Sequence, residues 1–125
     1  MIWTLFQVAL GGAIGALGRY LTHIGALRLM GVGFPYGTLV VNVIGSFAMG
    51  LLFVALMERG VSRHAPFFLT GILGGFTTFS AFSLDTLALV EKGQGSIALV
   101  YVVASVGLSL AAVVAGLALG RGFLA

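Results

Sequence analysis

The chain has 125 residues, of which 60% are hydrophobic and only 7% are charged, and it contains no cysteine. This composition excludes a water-soluble domain, disulfides and thiolate metal sites, and the dispersed net charge of +3 gives no basic cluster for nucleic acid. Because each membrane crossing needs roughly 20 apolar residues, the chain is long enough for about four crossings and little else.

Breaks in the apolar sequence predict one all-α membrane domain over residues 1–125. Its four spans are expected at about residues 3–22, 35–57, 66–91 and 96–120. Pro35 and Pro66 open the second and third spans, where the missing N–H of proline does no harm. With four crossings, both termini lie on one side of the membrane.

Glycines recur at helical spacing in the first and fourth spans and allow helix backbones to approach closely. They are Gly11, Gly12, Gly15, Gly18, Gly116 and Gly120. Packing within one chain accounts for such faces, and packing between two chains is the other interpretation. A unit of four helices encloses a polar route poorly by itself, so a dimer is favoured.

Asn42 lies well inside the second span, in the sequence GTLVVNVIGS. An amide surrounded by hydrocarbon must find hydrogen-bond partners or water. Two interpretations are open: Asn42 bonds to a neighbouring helix, or it belongs to a functional site.

The third span contains the most informative stretch, GILGGFTTFSAFSLD at residues 71–85. Gly74 and Gly75 weaken a helix, and the hydroxyls that follow can satisfy freed backbone groups, so a helix break is predicted near the glycines. Phe79 and Phe82 are three residues apart and project from one face just beyond it. Because the edge of an aromatic ring is positive, this pair can contact an anion, with ordinary packing as the alternative.

The fourth span has hydroxyl groups four residues apart, at Tyr101, Ser105 and Ser109. This spacing places them along one face of a helix as a polar stripe. The alternative is that each serine hydroxyl bonds back to its own helix.

Lysine and arginine are balanced, three against three, between the two sides of the membrane. Arg59, Arg63 and Arg121 lie on the side of the termini, and Arg19, Arg28 and Lys92 lie on the other. Positive charge therefore selects no orientation. We expect the chain to insert both ways and to assemble as an antiparallel pair, with one weakly biased orientation as the alternative.

These features resemble the small bacterial fluoride channels of the Fluc or CrcB family. The resemblance covers nearly the whole chain through GGAIGALGRY, YGTLVVN with Asn42, GGFTTFSAFS, and the hydroxyl stripe of the fourth span. It implies a fluoride-selective channel of the bacterial inner membrane, which exports cytoplasmic fluoride passively, lowers its toxicity and is not an enzyme. It also implies an antiparallel dual-topology homodimer with two pores, each lined by both subunits.

The resemblance also assigns a fluoride pathway. Fluoride would meet the ring edges of Phe79 and Phe82 and the amide N–H of Asn42. A track of hydroxyls would extend this path, formed by Tyr101, Ser105, Ser109 and, less directly, Thr38. Val113 stands where the family often has a threonine, which puts the ion positions at that end of the track in doubt.

Two further positions are implied. Arg19 matches an arginine near an aqueous vestibule, where a cation raises the local concentration of anions, although an interfacial anchor explains it equally well. The backbone carbonyls of Gly74 and Thr77 from both subunits would hold a structural Na⁺ at the dimer axis.

A passive channel also fits the chemistry of the spans. Fluoride is strongly hydrated, so fixed neutral donors must replace its water without holding it too tightly to leave. Asp85 is the main ionisable exception within the spans, and one carboxylate makes a poor proton relay. The rivals are a small dual-topology multidrug exporter, which needs an acidic residue deep in a span, and a membrane scaffold, which leaves Asn42 unexplained.

Overall fold

The computed structural model describes residues 1–60 and 62–124, and these form helices and connecting turns without any strand. The elements are α1 (Ile2–Met30), α2 (Tyr36–Phe53, continued by a π-helical turn at Val54–Glu58), α3 (Pro66–Leu73 with π-helical winding, then Gly74–Phe76), α4 (Phe79–Glu91) and α5 (Gly95–Leu124). Over the described residues, four helical spans are long and apolar enough to cross a membrane, with α3 and α4 as two parts of the third. The prediction of a multi-pass, all-helical chain is confirmed.

The first helix extends to Met30, past the end near Thr22 that the sequence predicted. The polar residues at that point stay helical because their side chains bond to their own helix. Thr22 Oγ1 donates to the Gly18 carbonyl at 2.8 Å, and His23 Nδ1 lies 2.9 Å from the Arg19 carbonyl oxygen. The polar residues Thr22 and His23 therefore lie within the helix and do not end it.

Glycines bring α1 against α3 and α2 against α5. A Cβ on Gly15 would overlap the carbonyl oxygen of Ile72, and a Cβ on Gly116 would overlap that of Phe47. Packing within one chain therefore accounts for Gly15 and Gly116.

The third span breaks at Thr77 and Thr78, directly after Gly74 and Gly75, so the predicted break near the two glycines is confirmed. Gly74 is helical, with φ −62° and ψ −36°, whereas Thr77 and Thr78 are extended, with ψ of 159° and 124°. Gly75 allows a close approach, since a Cβ there would lie 2.7 Å from the Gly12 carbonyl oxygen. Packing against α1 thus outweighs the weak helix propensity of glycine.

A hydroxyl group compensates for one hydrogen bond lost at the break, as predicted. Thr77 Oγ1 donates at 2.9 Å to the Leu73 carbonyl, which already accepts the Thr77 backbone N–H, and Thr78 Oγ1 accepts the free Ala81 backbone N–H at 3.1 Å. The second contact is an N-cap, which satisfies one of the free donors at the start of α4. The break is therefore a well-bonded feature of the fold.

Candidate functional site

A cavity of about 140 Å³ lies beside the break, between α2, α4 and α5. Its walls are mostly apolar with a few polar groups, as is common in binding sites. The lining residues are Asn42, Phe79, Phe82, Ser105, Val106 and Ser109. The structure therefore brings together five of the residues that the sequence analysis placed in one pathway, and adds Val106.

Asn42 connects α2 to the break through two hydrogen bonds. Its Nδ2 donates to the Thr78 carbonyl at 2.9 Å, and its Oδ1 accepts the Thr78 backbone N–H at 2.8 Å. The interhelical interpretation of Asn42 is thus present in the structure. A side-chain amide carries two N–H groups, and these bonds use only one, so Asn42 can also donate to a ligand in the cavity.

Ser105 and Ser109 contribute hydroxyls that are buried and have no hydrogen-bond partner among the described residues. Leaving a buried polar group unpaired costs about 1–3 kcal/mol, so such groups are uncommon in native structures. The alternative in which each hydroxyl bonds back to its own helix does not hold. Both groups are donors positioned to meet a ligand in the cavity.

Phe79 and Phe82 form an aromatic pair with ring centroids 5.5 Å apart and planes tilted by 53°. Phe82 also packs on Tyr101, at a centroid distance of 5.3 Å, and is partly buried. Phe79 is 77% exposed. The wall of the cavity is therefore well packed at Phe82 and exposed at Phe79.

Tyr101 and Thr38 lie in a second group of polar residues, centred on Asp85. Both side chains are buried, at 0% and 2% exposure. The Tyr101 hydroxyl donates to Asp85 Oδ2 at 3.1 Å, and Thr38 Oγ1 donates to the same oxygen at 2.7 Å. The predicted stripe of hydroxyls thus divides, with its serines unpaired and its tyrosine bound to a carboxylate.

His23 completes this second group, and the sequence analysis did not single it out. Its Nε2 lies 3.2 Å from Thr38 Oγ1. A cavity of about 190 Å³ adjoins His23, Thr38 and Asp85. One feature of the sequence could have identified His23. It lies one turn after Arg19 inside an apolar helix, where a titratable side chain needs hydrogen-bond partners.

Arg19 is half-buried, and its Nε donates to the Gly75 carbonyl at 2.9 Å. This bond holds the guanidinium against α3, just before the break.

The two residues expected to hold a cation lie at the start of the last turn of α3, which is Gly74, and directly after its end, which is Thr77. Gly74 is exposed on the surface of the chain, and Thr77 is half-buried at the break. Within the described part of the chain, no group of three or more His, Cys, Asp or Glu side chains could hold a metal ion. A cation at Gly74 and Thr77 would therefore depend on backbone carbonyls.

Comparison with known proteins identifies one family and several relatives that share one name. Residues 6–117 match the family described as CrcB-like protein, Camphor Resistance (CrcB). Proteins named "Fluoride-specific ion channel FluC" are similar over nearly their whole length: one from Cereibacter sphaeroides is 60% identical over 125 residues, covering 100% of both chains. Another from Paracoccus denitrificans is 60% identical over 122 residues, 98% of each, and one from Agrobacterium fabrum is 52% identical over 117 residues, 91% of this chain and 93% of the relative.

Proposed function

The chain belongs to the CrcB family, and from this premise we propose that it is a fluoride-specific ion channel that lets fluoride leave the cytoplasm passively. Its relatives carry that name at 50–60% identity over almost the full chain. We place this channel in the bacterial inner membrane, and the four helices that are long and apolar enough to cross a membrane support a membrane location. Passive export would lower the toxicity of fluoride to the cell.

The observation that carries this proposal is the pair of unpaired hydroxyls in the cavity beside the break. Fluoride loses its hydration shell only where fixed donors replace the water. Ser105, Ser109 and the free N–H of Asn42 are such donors, and all are neutral, so the ion can also leave. The positive ring edges of Phe79 and Phe82 complete the wall.

The polar group at Asp85 would extend this pathway towards the second cavity. Tyr101 lies one helical turn from Ser105, and Thr38 faces the same carboxylate. An ion moving from Ser105 would pass to the hydroxyl of Tyr101 and then to that of Thr38. Arg19, one turn before His23, would attract anions towards this end.

The assembly we propose is an antiparallel homodimer with two pores, each lined by both subunits. Phe79 supports it, because a pore wall that is 77% exposed in one chain needs a second chain to cover it. The balanced loop charges support an inverted partner. A C-terminal tag found on both faces of sealed vesicles is the expected result, whereas a tag on only one face would contradict dual topology.

A structural Na⁺ at the dimer axis is a further part of the proposal, held by the carbonyls of Gly74 and Thr77 from both subunits. Backbone oxygens are the hard ligands that Na⁺ prefers. Gly74 is exposed, so its carbonyl region can meet a second copy, and the extended backbone at Thr77 departs from the helical hydrogen-bond pattern. Cross-linked dimer should decrease when Na⁺ is replaced by a large organic cation, and unchanged dimer would count against the site.

Reconstitution tests the function directly. Liposomes loaded with fluoride and chloride and containing the purified protein should release fluoride rapidly to a fluoride-selective electrode, while chloride stays trapped. Protein-free liposomes provide the blank. No fluoride release, or equal release of chloride, would overturn the proposal.

A further inference from the structure

His23 begins a continuous chain of polar contacts that ends at the carboxylate of Asp85. Its Nδ1 lies 2.9 Å from the Arg19 carbonyl oxygen, and its Nε2 lies 3.2 Å from Thr38 Oγ1. Thr38 Oγ1 in turn lies 2.7 Å from Asp85 Oδ2, which also accepts from the Tyr101 hydroxyl. Each of these contacts needs one proton between its two atoms, so the protons can be counted.

The count requires one extra proton. A carbonyl oxygen only accepts, so Nδ1 of His23 carries a proton. The single hydroxyl proton of Thr38 is donated to Asp85, which leaves Nε2 of His23 to donate to Thr38, as only an imidazolium can. If the carboxyl of Asp85 holds the proton instead, Thr38 donates to Nε2 and the total is the same. With one proton fewer, two lone pairs face each other between His23 and Thr38.

The other charged groups near Asp85 do not supply the positive charge that this extra proton brings. The titratable and charged groups near His23 and Asp85 are Arg19 one turn before His23, Tyr36 on α2, Tyr101 on α5 and Lys92 in the loop after α4. The Arg19 guanidinium donates to the Gly75 carbonyl. Lys92 lines a neighbouring cavity with Asp85, but among residues 1–60 and 62–124 no ion pair joins the two.

We propose that His23 holds this proton and so cancels the negative charge of Asp85 beside the fluoride pathway. The inference rests on the proposed channel function. With the proton present, the group formed by His23, Thr38 and Asp85 is neutral overall and does not repel an anion in the pathway. Without it, a full negative charge lies beside the pathway and repels the ion. His23 is therefore a positioning residue that sets the charge of the pathway.

Fluoride flux against pH tests this proposal, because histidine is the side chain that exchanges its proton between about pH 5 and 8. Flux into the electrode chamber is measured from about pH 6 to about pH 8.5, with protein-free liposomes at each pH as the blank for leakage of HF. We expect the wild-type flux to fall by about tenfold over this range, since one uncompensated charge at a few ångströms is worth at least that factor. His23→Gln should show the low flux at every pH.

His64→Gln is the matched control, because His64 is the other histidine of the chain and lies in the short 3₁₀ turn before α3. Its partner is Gln7 at 3.5 Å, far from Asp85 in sequence and in the fold. This variant should keep the wild-type pH profile. A His23→Gln profile that coincides with that of His64→Gln would overturn the proposal.

A second measurement is independent of flux. In the His64→Gln protein, His23 is the sole histidine, so ¹⁵N NMR of imidazole nitrogens reports its protonation alone. Adding Asp85→Asn removes the opposite charge, and the titration curve of the imidazole should then change. Identical titration curves with and without Asp85→Asn would overturn the pairing. If the protein shows no fluoride flux but Asp85→Asn still shifts the His23 titration curve, the channel function is rejected and the proton site is retained.

Discussion

Two polar regions of this chain share the same kinds of side chain but differ in whether their donors are already paired. In the cavity beside the break, the hydroxyls of Ser105 and Ser109 are buried without a hydrogen-bond partner in the part of the chain that the structure describes. One turn away, the hydroxyls of Tyr101 and Thr38 both donate to Asp85. The first region therefore leaves donors for a ligand, whereas the second stabilises an internal charge, and residue type alone does not separate the two functions.

The largest effect is expected from Asn42→Asp, which changes the unpaired region most. A carboxylate cannot donate to the Thr78 carbonyl, and it adds a negative charge to the wall of an anion pathway. Fluoride flux should fall by about 100-fold or more, because a donor is lost and a repulsive charge is gained. The measurement is electrode-recorded efflux from liposomes.

Gln94→Glu is its matched control, since it makes the same change from amide to carboxylate in the exposed loop between α4 and α5. We expect this variant to conduct like the wild type. Equal flux in Asn42→Asp and Gln94→Glu would show that Asn42 does not face the ion.

The next largest effect is expected from Phe82→Ile. Isoleucine fills similar space but lacks a positive ring edge and the contact of the ring with Tyr101, so flux should decrease by about tenfold. Phe68→Ile is the control, because Phe68 packs on Phe67 in α3, away from the cavity. If both variants conduct alike, the aromatic wall contributes nothing beyond its volume.

Thr38→Val distinguishes the two regions by stability. Valine keeps the shape but removes a hydrogen bond to Asp85, so the free energy of unfolding should fall by about 1.5–3 kcal/mol. Ser105→Ala removes a hydroxyl that has no partner among residues 1–60 and 62–124 and should not reduce that free energy. Unfolding of the detergent-solubilised protein by denaturant measures both, and equal losses would abolish the distinction.

The smallest effect is expected from Glu58→Gln. Glu58 pairs with Arg121 at 2.9 Å near the ends of two spans, where both side chains are exposed. Exposed ion pairs of this kind contribute little, so flux should match the wild type. A clear loss of flux would mean that this end of the molecule also belongs to the pathway.

The sequence predicted the four spans and the residues around the cavity because their signals are local. Apolar runs separated by polar loops identify the helices, and Asn42 stands out in hydrocarbon. The spacing of Ser105 and Ser109 places them on one helix face, and the structure then turns that face towards Asn42 and Phe82.

The remaining features depend on contacts between distant parts of the chain. Gly75 looked like a helix breaker, but its small size is needed against Gly12, and the break falls at Thr78 where Asn42 satisfies the backbone. Likewise, the contact of His23 with Thr38 requires α1 to continue past Thr22. Neither pairing can be inferred from spacing along one helix.

Fluoride efflux from liposomes containing the double variant Ser105→Ala, Ser109→Ala tests whether the two unpaired hydroxyls contact the ion. Its comparison is Ser83→Ala, which removes an exposed hydroxyl bonded to its own helix at the Phe79 carbonyl. We predict that the double variant loses fluoride flux by about tenfold or more, since two donors for the ion are gone, while it stays folded and Ser83→Ala conducts normally. Equal fluoride flux in the two proteins would contradict the assignment of the unpaired hydroxyls to the pathway.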